Sequence, residues 1–280
     1  MALSVTEVAS VARSPAARRF GSAPGPDASP DREFAVSVRG LVKSYGRGLP
    51  SVLNGVSFEV GEGEIVGLIG ANGSGKSTLL RCLAGLHPTS GGDISVLGHR
   101  FSGKPPAATL RAIRRQLGFV FQHHSLVGRL SALSNVVQGK LGEPGGWRCW
   151  NQALAPDVCR REAIQALARV RLDTLHAVRA DRLSGGQSQR VAIARALVRQ
   201  PRLLIADEPA ASLDPAAGEE VMEIFASVAR ESGATVLFTS HDMDHARRYA
   251  DRIVALKGGR IVFDLPCGEI RRHELDGVFN

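Results

Sequence analysis

Residues 70–77 read Gly70-Ala71-Asn72-Gly73-Ser74-Gly75-Lys76-Ser77, and this stretch decides the fold. It fits the pattern G-x-x-x-x-G-K-[ST], in which glycines let backbone N–H groups turn inward around phosphate groups. The apolar run Ile65–Ile69 before it is typical of a buried strand. After it, one helical face carries Leu79, Leu80, Leu83 and Leu86. The strand, loop and helix that such a phosphate loop (residues 70–77) requires therefore occur in the right order.

A second stretch, Leu203-Leu204-Ile205-Ala206-Asp207-Glu208, ends an apolar strand in two carboxylates. At the carboxyl end of that strand, Asp207 would lie beside the phosphate loop as a direct or indirect partner of Mg²⁺. Glu208 would polarise the attacking water as a general base. From the loop, Lys76 would reach the β- and γ-phosphates and Ser77 would bind Mg²⁺. The two stretches together predict a nucleoside triphosphate and Mg²⁺ as cofactors, and the resemblance described below implies that the nucleotide is ATP.

Between them lies the signature motif, Leu183-Ser184-Gly185-Gly186-Gln187. A helix is predicted after it, from about residue 187 to residue 199. Free N–H groups, a hydroxyl and a helix N-terminus form a second anion site. With the phosphate loop before it and the two carboxylates after it, the chain resembles the ATP-binding-cassette family over about residues 35–265.

That resemblance implies an α/β fold of the P-loop NTPase class, with a RecA-like core, an antiparallel β subdomain and an inserted helical subdomain. It also implies that two cassettes pair head to tail. The signature motif of each would then close over the γ-phosphate that the other cassette holds. Because the chain carries one set of motifs, this arrangement requires a homodimer.

The resemblance extends to single residues. Gln122 matches the glutamine that senses Mg²⁺ and links to the membrane partner, and His241 matches the switch histidine at the γ-phosphate. Asp214 matches a residue at the dimer interface, and Tyr45 matches the aromatic residue that stacks on adenine. The predicted catalytic residues are Glu208, His241 and Gln122, and the predicted Mg²⁺ ligands are Ser77, Gln122 and Asp207. The predicted nucleotide contacts are Tyr45, Gly70, Ala71, Asn72, Gly73, Ser74, Gly75, Lys76, Ser77, Thr78, Ser184, Gly185, Gly186, Gln187 and Asp214.

The composition limits the class of protein. The chain has 280 residues, of which 44% are hydrophobic, yet no stretch reaches the roughly 18 to 20 uninterrupted apolar residues of a membrane span. No signal-peptide core is found near the start, so a cytosolic chain is predicted. The formal charge of +8 allows a face near anionic lipid or a merely solvated basic surface. Without a dense basic block, nucleic acid is not a predicted partner.

Three regions are predicted from the composition along the chain. Residues 1–34 are rich in Ala, Ser, Pro and Arg and indicate a disordered extension. Residues 35–280 would form the ATP-binding domain. Within it, about 123–190 would be the helical subdomain, because polar loops and helical stretches such as residues 163–170 replace the strand pattern there.

Two longer passages narrow the kind of cassette. The sequence of residues 121–136 (FQHHSLVGRLSALSNV) is similar to that of the ATPases of phosphonate importers. The similarity includes the tryptophan-bearing insertion at 146–150 and the sequence of 206–215. This implies two integral membrane permease subunits as partners and a periplasmic solute-binding protein as an indirect partner. It also implies a peripheral position on the cytoplasmic face of the inner membrane. Three alternatives remain open: another solute such as phosphite or a phosphate ester, a lipoprotein-release system, and a cassette ATPase outside transport.

Overall fold

The computed structural model describes residues 34–46, 48–270 and Val278. The predicted N-terminal extension lies outside these residues except for Phe34, which begins the first strand. In chain order the strands are β1 (Phe34–Lys43), β2 (Leu53–Gly61), β3 (Ile65–Ile69), β4 (Gly91–Val96), β5 (His99–Phe101), β6 (Leu117–Val120), β7 (Leu203–Ala206), β8 (Thr235–Ser240), β9 (Arg252–Lys257) and β10 (Arg260–Pro266). The α-helices are α1 (Lys76–Leu83), α2 (Ala107–Gln116), α3 (Ala132–Val137), α4 (Asp157–Arg169), α5 (Gly185–Leu197), α6 (Pro215–Ser232) and α7 (Met243–Tyr249).

The strands form two sheets. The smaller sheet has the order β2-β1-β4-β5 and is antiparallel throughout. The larger sheet has the order β10-β9-β3-β8-β7-β6, and its strands are parallel from β9 to β6. β3, β7 and β8 are fully buried, as parallel strands covered on both faces require, and this explains their continuous apolar sequences. The α/β fold with an antiparallel subdomain is confirmed.

The predicted helical region contains α3, α4 and the beginning of α5. The helical stretch expected at residues 163–170 lies in α4 up to Arg169, and Val170 is the C-cap of that helix. Between α3 and α4 the chain makes two short 3₁₀ helices, Gln138–Gly142 and Gly146–Trp150. Cys149 of the second one joins the same hydrophobic core as α5 and α6. The helical region therefore packs directly on the part of the domain that carries the parallel sheet.

Two predicted helix bounds were wrong. α1 ends at Leu83, because the N–H of Leu86 bonds to the carbonyl of Arg81 and closes the helix, so that Leu86 lies exposed beyond it. α5 begins at Gly185 rather than near Gln187, because the hydroxyl of Ser184 caps its N-terminus. Two residues of the signature motif expected to precede the helix are thus its first turn.

The order of the parallel strands positions the candidate site. β3, β8, β7 and β6 are neighbours and point the same way, so the residues that follow their carboxyl ends lie along one edge of the sheet. The phosphate loop follows β3, His241 follows β8, Asp207 and Glu208 follow β7, and Gln122 follows β6. Within the described residues, no helix has the length and apolar character needed to cross a membrane.

A close approach between two strands of the smaller sheet gives a test of the fold. Gly92 has φ +82°, and a Cβ there would overlap the backbone carbonyl of Gly40. Gly98 has φ +80°, but a Cβ there meets no atom within 4 Å. Gly98→Ala should cost only the left-handed strain of about 1–2 kcal/mol. Gly92→Ala should cost clearly more, because the overlap is added to the strain.

The thermal midpoints of both variants check this prediction. Gly98→Ala should lower the midpoint by a few degrees, since about 1 kcal/mol corresponds to roughly 2–4 °C in a domain of this size. Gly92→Ala should lower it further. Equal midpoints for the two variants would show that β1 and β4 do not approach as closely as described.

Candidate active site

The phosphate loop is held tightly between β3 and α1. Gly70 has φ +154°, and a Cβ on it would overlap the carbonyl oxygen of Leu256, so only glycine fits there. Gly75 is the N-cap of α1 and no side chain caps this helix end, which leaves its first N–H groups directed at an incoming anion. The hydroxyl of Ser74 is buried and has no hydrogen-bond partner within the protein. The loop therefore offers a cradle of donors for phosphate groups.

Lys76 lies inside this loop with its ammonium buried. Its Nζ donates to the carbonyl of Gly70 at 2.7 Å and lies 3.5 Å from Oε1 of Glu208. The side chain is 5% exposed. A buried ammonium needs such oxygen partners, and phosphate oxygens would serve the same need. The charge of Lys76 is thus held at the position where a nucleotide's β- and γ-phosphates would meet it.

Asp207 is the buried centre of the site. Its carboxylate is 1% exposed, and Oδ1 accepts hydrogen bonds from Ser77 Oγ at 2.9 Å and from Thr239 Oγ1 at 3.1 Å. Arg81 Nη2 lies 3.8 Å from Oδ2. The hydroxyl and the carboxylate are hard oxygen ligands of the kind that Mg²⁺ prefers. Ser77 and Asp207 therefore fit a Mg²⁺ ion bound together with nucleotide.

Glu208 is the point where the other predicted residues converge. Oε2 lies 3.5 Å from Gln122 Nε2 and 3.5 Å from His241 Nδ1, while Oε1 faces Lys76. The side chain is 11% exposed. Its backbone is left-handed, with φ +47°, a strained conformation for a residue with a side chain. In this conformation the carboxylate faces Lys76, Gln122 and His241.

Thr239 is a functional residue that the sequence analysis missed. Its hydroxyl accepts a hydrogen bond from the backbone N–H of Glu208 at 2.7 Å while it donates to Asp207. One fully buried side chain therefore fixes both the Asp207 carboxylate and the strained backbone of Glu208. A threonine at the end of the apolar run of β8 was the available signal. Arg81 was missed as well, and its position one helical turn after Ser77 was the signal.

Tyr45 lies beside the first turn of α1. Its hydroxyl is 3.1 Å from Thr78 Oγ1, and its ring packs edge-on against His87 with centroids 5.7 Å apart. Lys43 Nζ lies 4.9 Å from the ring centroid. The ring is 53% exposed, so it is accessible to a planar base. The structure thus places Tyr45 next to the predicted phosphate contact Thr78.

The polar side chains of the signature motif make their hydrogen bonds within the motif itself. The Ser184 hydroxyl accepts from the N–H of Gln187, and the Gln187 side chain accepts from the N–H of Ser184, which makes a closed capping box. Asp214 caps α6 by accepting from the N–H of Ala217. In the described part of the chain, no hydrogen bond joins Ser184–Gln187 to the phosphate loop.

The model of the family described as "ABC transporter" matches residues 53–211. This match spans the phosphate loop, the signature motif and both carboxylates. The chain belongs to the ABC transporter family. The expectation of an ATPase of this family is confirmed, and ATP is its nucleotide.

Curated relatives are similar over most of the chain. "Phosphonates import ATP-binding protein PhnC" of Nocardia farcinica is 44% identical over 247 residues, covering 88% of this chain and 91% of that protein. "Phosphonates import ATP-binding protein PhnC 1" of Pseudomonas aeruginosa is 47% identical and covers 82% and 83%. "Phosphate-import ATP-binding protein PhnC" of Mycolicibacterium smegmatis is 46% identical and covers 88% and 92%.

Solved structures share the fold. The ATP-binding cassette MJ0796, described as a dimer in a post-hydrolysis state bound to ADP and Pi, has a TM-score of 0.71 and 31% identity, covering 83% of this chain and 98% of that one. CbiO1 from Clostridium perfringens, part of the transporter complex cbiONQ, has a TM-score of 0.74 and 29% identity, covering 86% and 92%.

The hydroxyl of Thr239 can be tested by a nearly isosteric change. Thr239→Val removes the bonds to both Asp207 and Glu208, whereas Thr239→Ser keeps a hydroxyl. We expect the valine variant to lose about 10- to 100-fold in kcat for ATP hydrolysis, the worth of a hydrogen bond to a charged group. Its affinity for ATP should stay near that of the wild type, because the phosphate loop is unchanged.

Steady-state ATPase kinetics and nucleotide binding check this prediction. The serine variant should keep most of the activity. If Thr239→Val hydrolyses ATP as fast as Thr239→Ser, the hydroxyl does not position the two carboxylates.

Proposed function

We propose that the chain is the ATP-hydrolysing subunit of an importer for phosphonates. One observation carries the proposal: Lys76, Gln122 and His241 converge on Glu208 beside a phosphate loop. The similarity to phosphonates import ATP-binding proteins, over most of both chains, supports the kind of transport. In this proposal the ATPase works at the cytoplasmic face of the inner membrane.

The residues divide the hydrolysis of ATP between them. Backbone N–H groups of the phosphate loop and the ammonium of Lys76 bind and orient the β- and γ-phosphates. Glu208 accepts a proton from the attacking water, and Gln122 and His241 hold that water and the γ-phosphate in line. Ser77, Asp207 and Gln122 would hold Mg²⁺, which would supply positive charge to the phosphate oxygens.

A pair of subunits completes each site. The signature motif of one subunit would cover the γ-phosphate held by the other, with Asp214 at the interface. The dimer described for MJ0796 supports this arrangement. The free N–H groups at the start of α5 would then act on the partner's nucleotide.

A groove gives the permease a place to dock. A cavity of about 370 Å³ lies between β6, the loop after it and α5, and its lining includes Phe119, Phe121 and Arg195. The ring centroids of Phe119 and Phe121 lie 4.3 Å apart, with the ring planes tilted by 34°. An amphipathic helix from each permease subunit would fit such an aromatic and basic groove beside Gln122. A periplasmic solute-binding protein would deliver the solute to the permease.

Inorganic phosphate is the second candidate solute. The relative from Mycolicibacterium smegmatis, named for phosphate import, is as similar as those named for phosphonates. Both solutes carry a tetrahedral phosphorus oxyanion, and the permease and binding protein, rather than this chain, would contact it. Uptake must therefore be tested with both solutes.

Growth on a defined phosphorus source tests the proposal. A strain of the source organism lacking this gene should fail to grow on a phosphonate as sole phosphorus source and should grow on phosphate. The wild-type gene should restore growth, and Glu208→Gln should not, because losing the general base lowers hydrolysis about 100- to 10,000-fold. Glu231→Gln, an exposed carboxylate on α6, is the matched control and should restore growth.

The outcomes separate the candidates. Unchanged growth of the deletion strain on phosphonate, in a background without a second importer, would remove phosphonate as the solute. A defect confined to low phosphate would favour phosphate import. Purified Glu208→Gln protein that binds ATP and hydrolyses it at the wild-type rate would remove Glu208 as the base.

A further inference from the structure

The segment directly after Gln122 lies along the helix that begins in the signature motif. Arg195, near the end of α5, donates from Nη2 to the carbonyl of His124 at 2.9 Å and from Nη1 to that of Ser125 at 2.7 Å. The ring of His124 lies against the backbone of Gly185, at the beginning of α5. Gly185 and Arg195 are ten residues apart, or roughly 15 Å along the helix. The segment therefore contacts α5 near both of its ends, and the two bonds from Arg195 attach it.

The segment is held in a conformation that it would not adopt alone. Ser125 is left-handed, with φ +50°, and its hydroxyl donates to the carbonyl of His123 at 2.9 Å. A residue with a side chain pays a strain energy in this conformation, so its surroundings must hold it there. The two bonds from Arg195 hold the carbonyls of His124 and Ser125, which lie before and after the Cα of Ser125. The shape of the turn after Gln122 therefore depends on Arg195.

Arg195 itself has little freedom. Burial lowers the pKa of its guanidinium, and the two carbonyl oxygens are the acceptors that stabilise the buried charge. Because a guanidinium is planar and donates from two nitrogens, it can bond to two successive carbonyl oxygens in a fixed geometry, which a lysine cannot do. Arg195 also lines the groove beside Phe121. A single side chain thus touches the groove, the segment after Gln122 and α5.

We propose that Arg195 is a positioning residue that ties Gln122 to the signature motif of the same chain. Movement of Gln122 at the chain's own ATP is thereby transmitted to Ser184–Gly186, which act on the ATP of the partner subunit. The second half of this statement rests on the proposed pairing of two subunits. Arg195 does not contact nucleotide, so its loss should leave ATP affinity intact while it lowers the rate of hydrolysis.

The test uses the purified subunit and three variants on α5. Arg195→Ala removes both hydrogen bonds, and Arg195→Lys keeps the charge but cannot donate from two nitrogens to both carbonyls. Arg190→Ala is the matched control, because Arg190 lies on the same helix but bonds to Glu220 of α6 at 3.1 Å. We expect Arg195→Ala to lose about 10- to 100-fold in kcat, with KM and ATP affinity near wild type. Arg195→Lys should lie between it and the wild type, and Arg190→Ala should stay near the wild type.

A double-mutant cycle with Gln122→Ala distinguishes positioning from a general loss of structure. If Arg195 acts through Gln122, the double variant should be no slower than the slower single variant. Multiplied losses, equal losses in Arg190→Ala and Arg195→Ala, or wild-type kcat in Arg195→Ala would each overturn the proposal. If Arg195→Ala does not fold, the same cycle is made with Arg195→Lys. Because the readout is ATP turnover by the isolated subunit, failure to support phosphonate growth would leave this result standing.

Discussion

The buried carboxylate of Asp207 is the constraint on which the rest of the site depends. Ser77 from the phosphate loop and Thr239 from β8 both donate to its Oδ1, so one oxygen atom joins three neighbouring strands at their carboxyl ends. A buried carboxylate without such donors would be costly, and the hydrogen bonds offset that cost. The same Thr239 hydroxyl also accepts from the backbone of Glu208. The Thr239 hydroxyl therefore links the backbone of Glu208 to the Asp207 carboxylate, which also holds the phosphate loop through Ser77.

The site is complete on one side and open on the other. Lys76, Gln122 and His241 surround Glu208, whereas Ser184 and Gln187 of the signature motif cap their own helix. The remaining N–H groups at the start of α5 suit an anion held by a second chain. Arg195 attaches this helix to the segment after Gln122, and this contact is the basis of the coupling that we propose.

The sequence predicted the features that depend on local pattern. The apolar runs of β3, β7 and β8, the phosphate loop and the two carboxylates could be read directly, because each is continuous along the chain. Thr239, Arg81 and Arg195 could not, because their importance comes from contacts that cross the fold, such as Arg195 with carbonyls 70 residues away. The capping box of Ser184 was also missed, which displaced the predicted start of α5. Gln122 and His241 were named only through family resemblance, and the sheet order explains why they meet.

If two chains share each ATP site, the mass of the protein in solution must depend on ATP. Glu208→Gln protein, which should bind ATP without consuming it, is examined by light scattering with and without ATP and Mg²⁺. We expect the mass of two chains with ATP and of one without. We also expect that Gly186→Arg, which places a bulky side chain in the signature motif, keeps the protein at one chain. A single-chain mass for Glu208→Gln at saturating ATP would contradict the shared site.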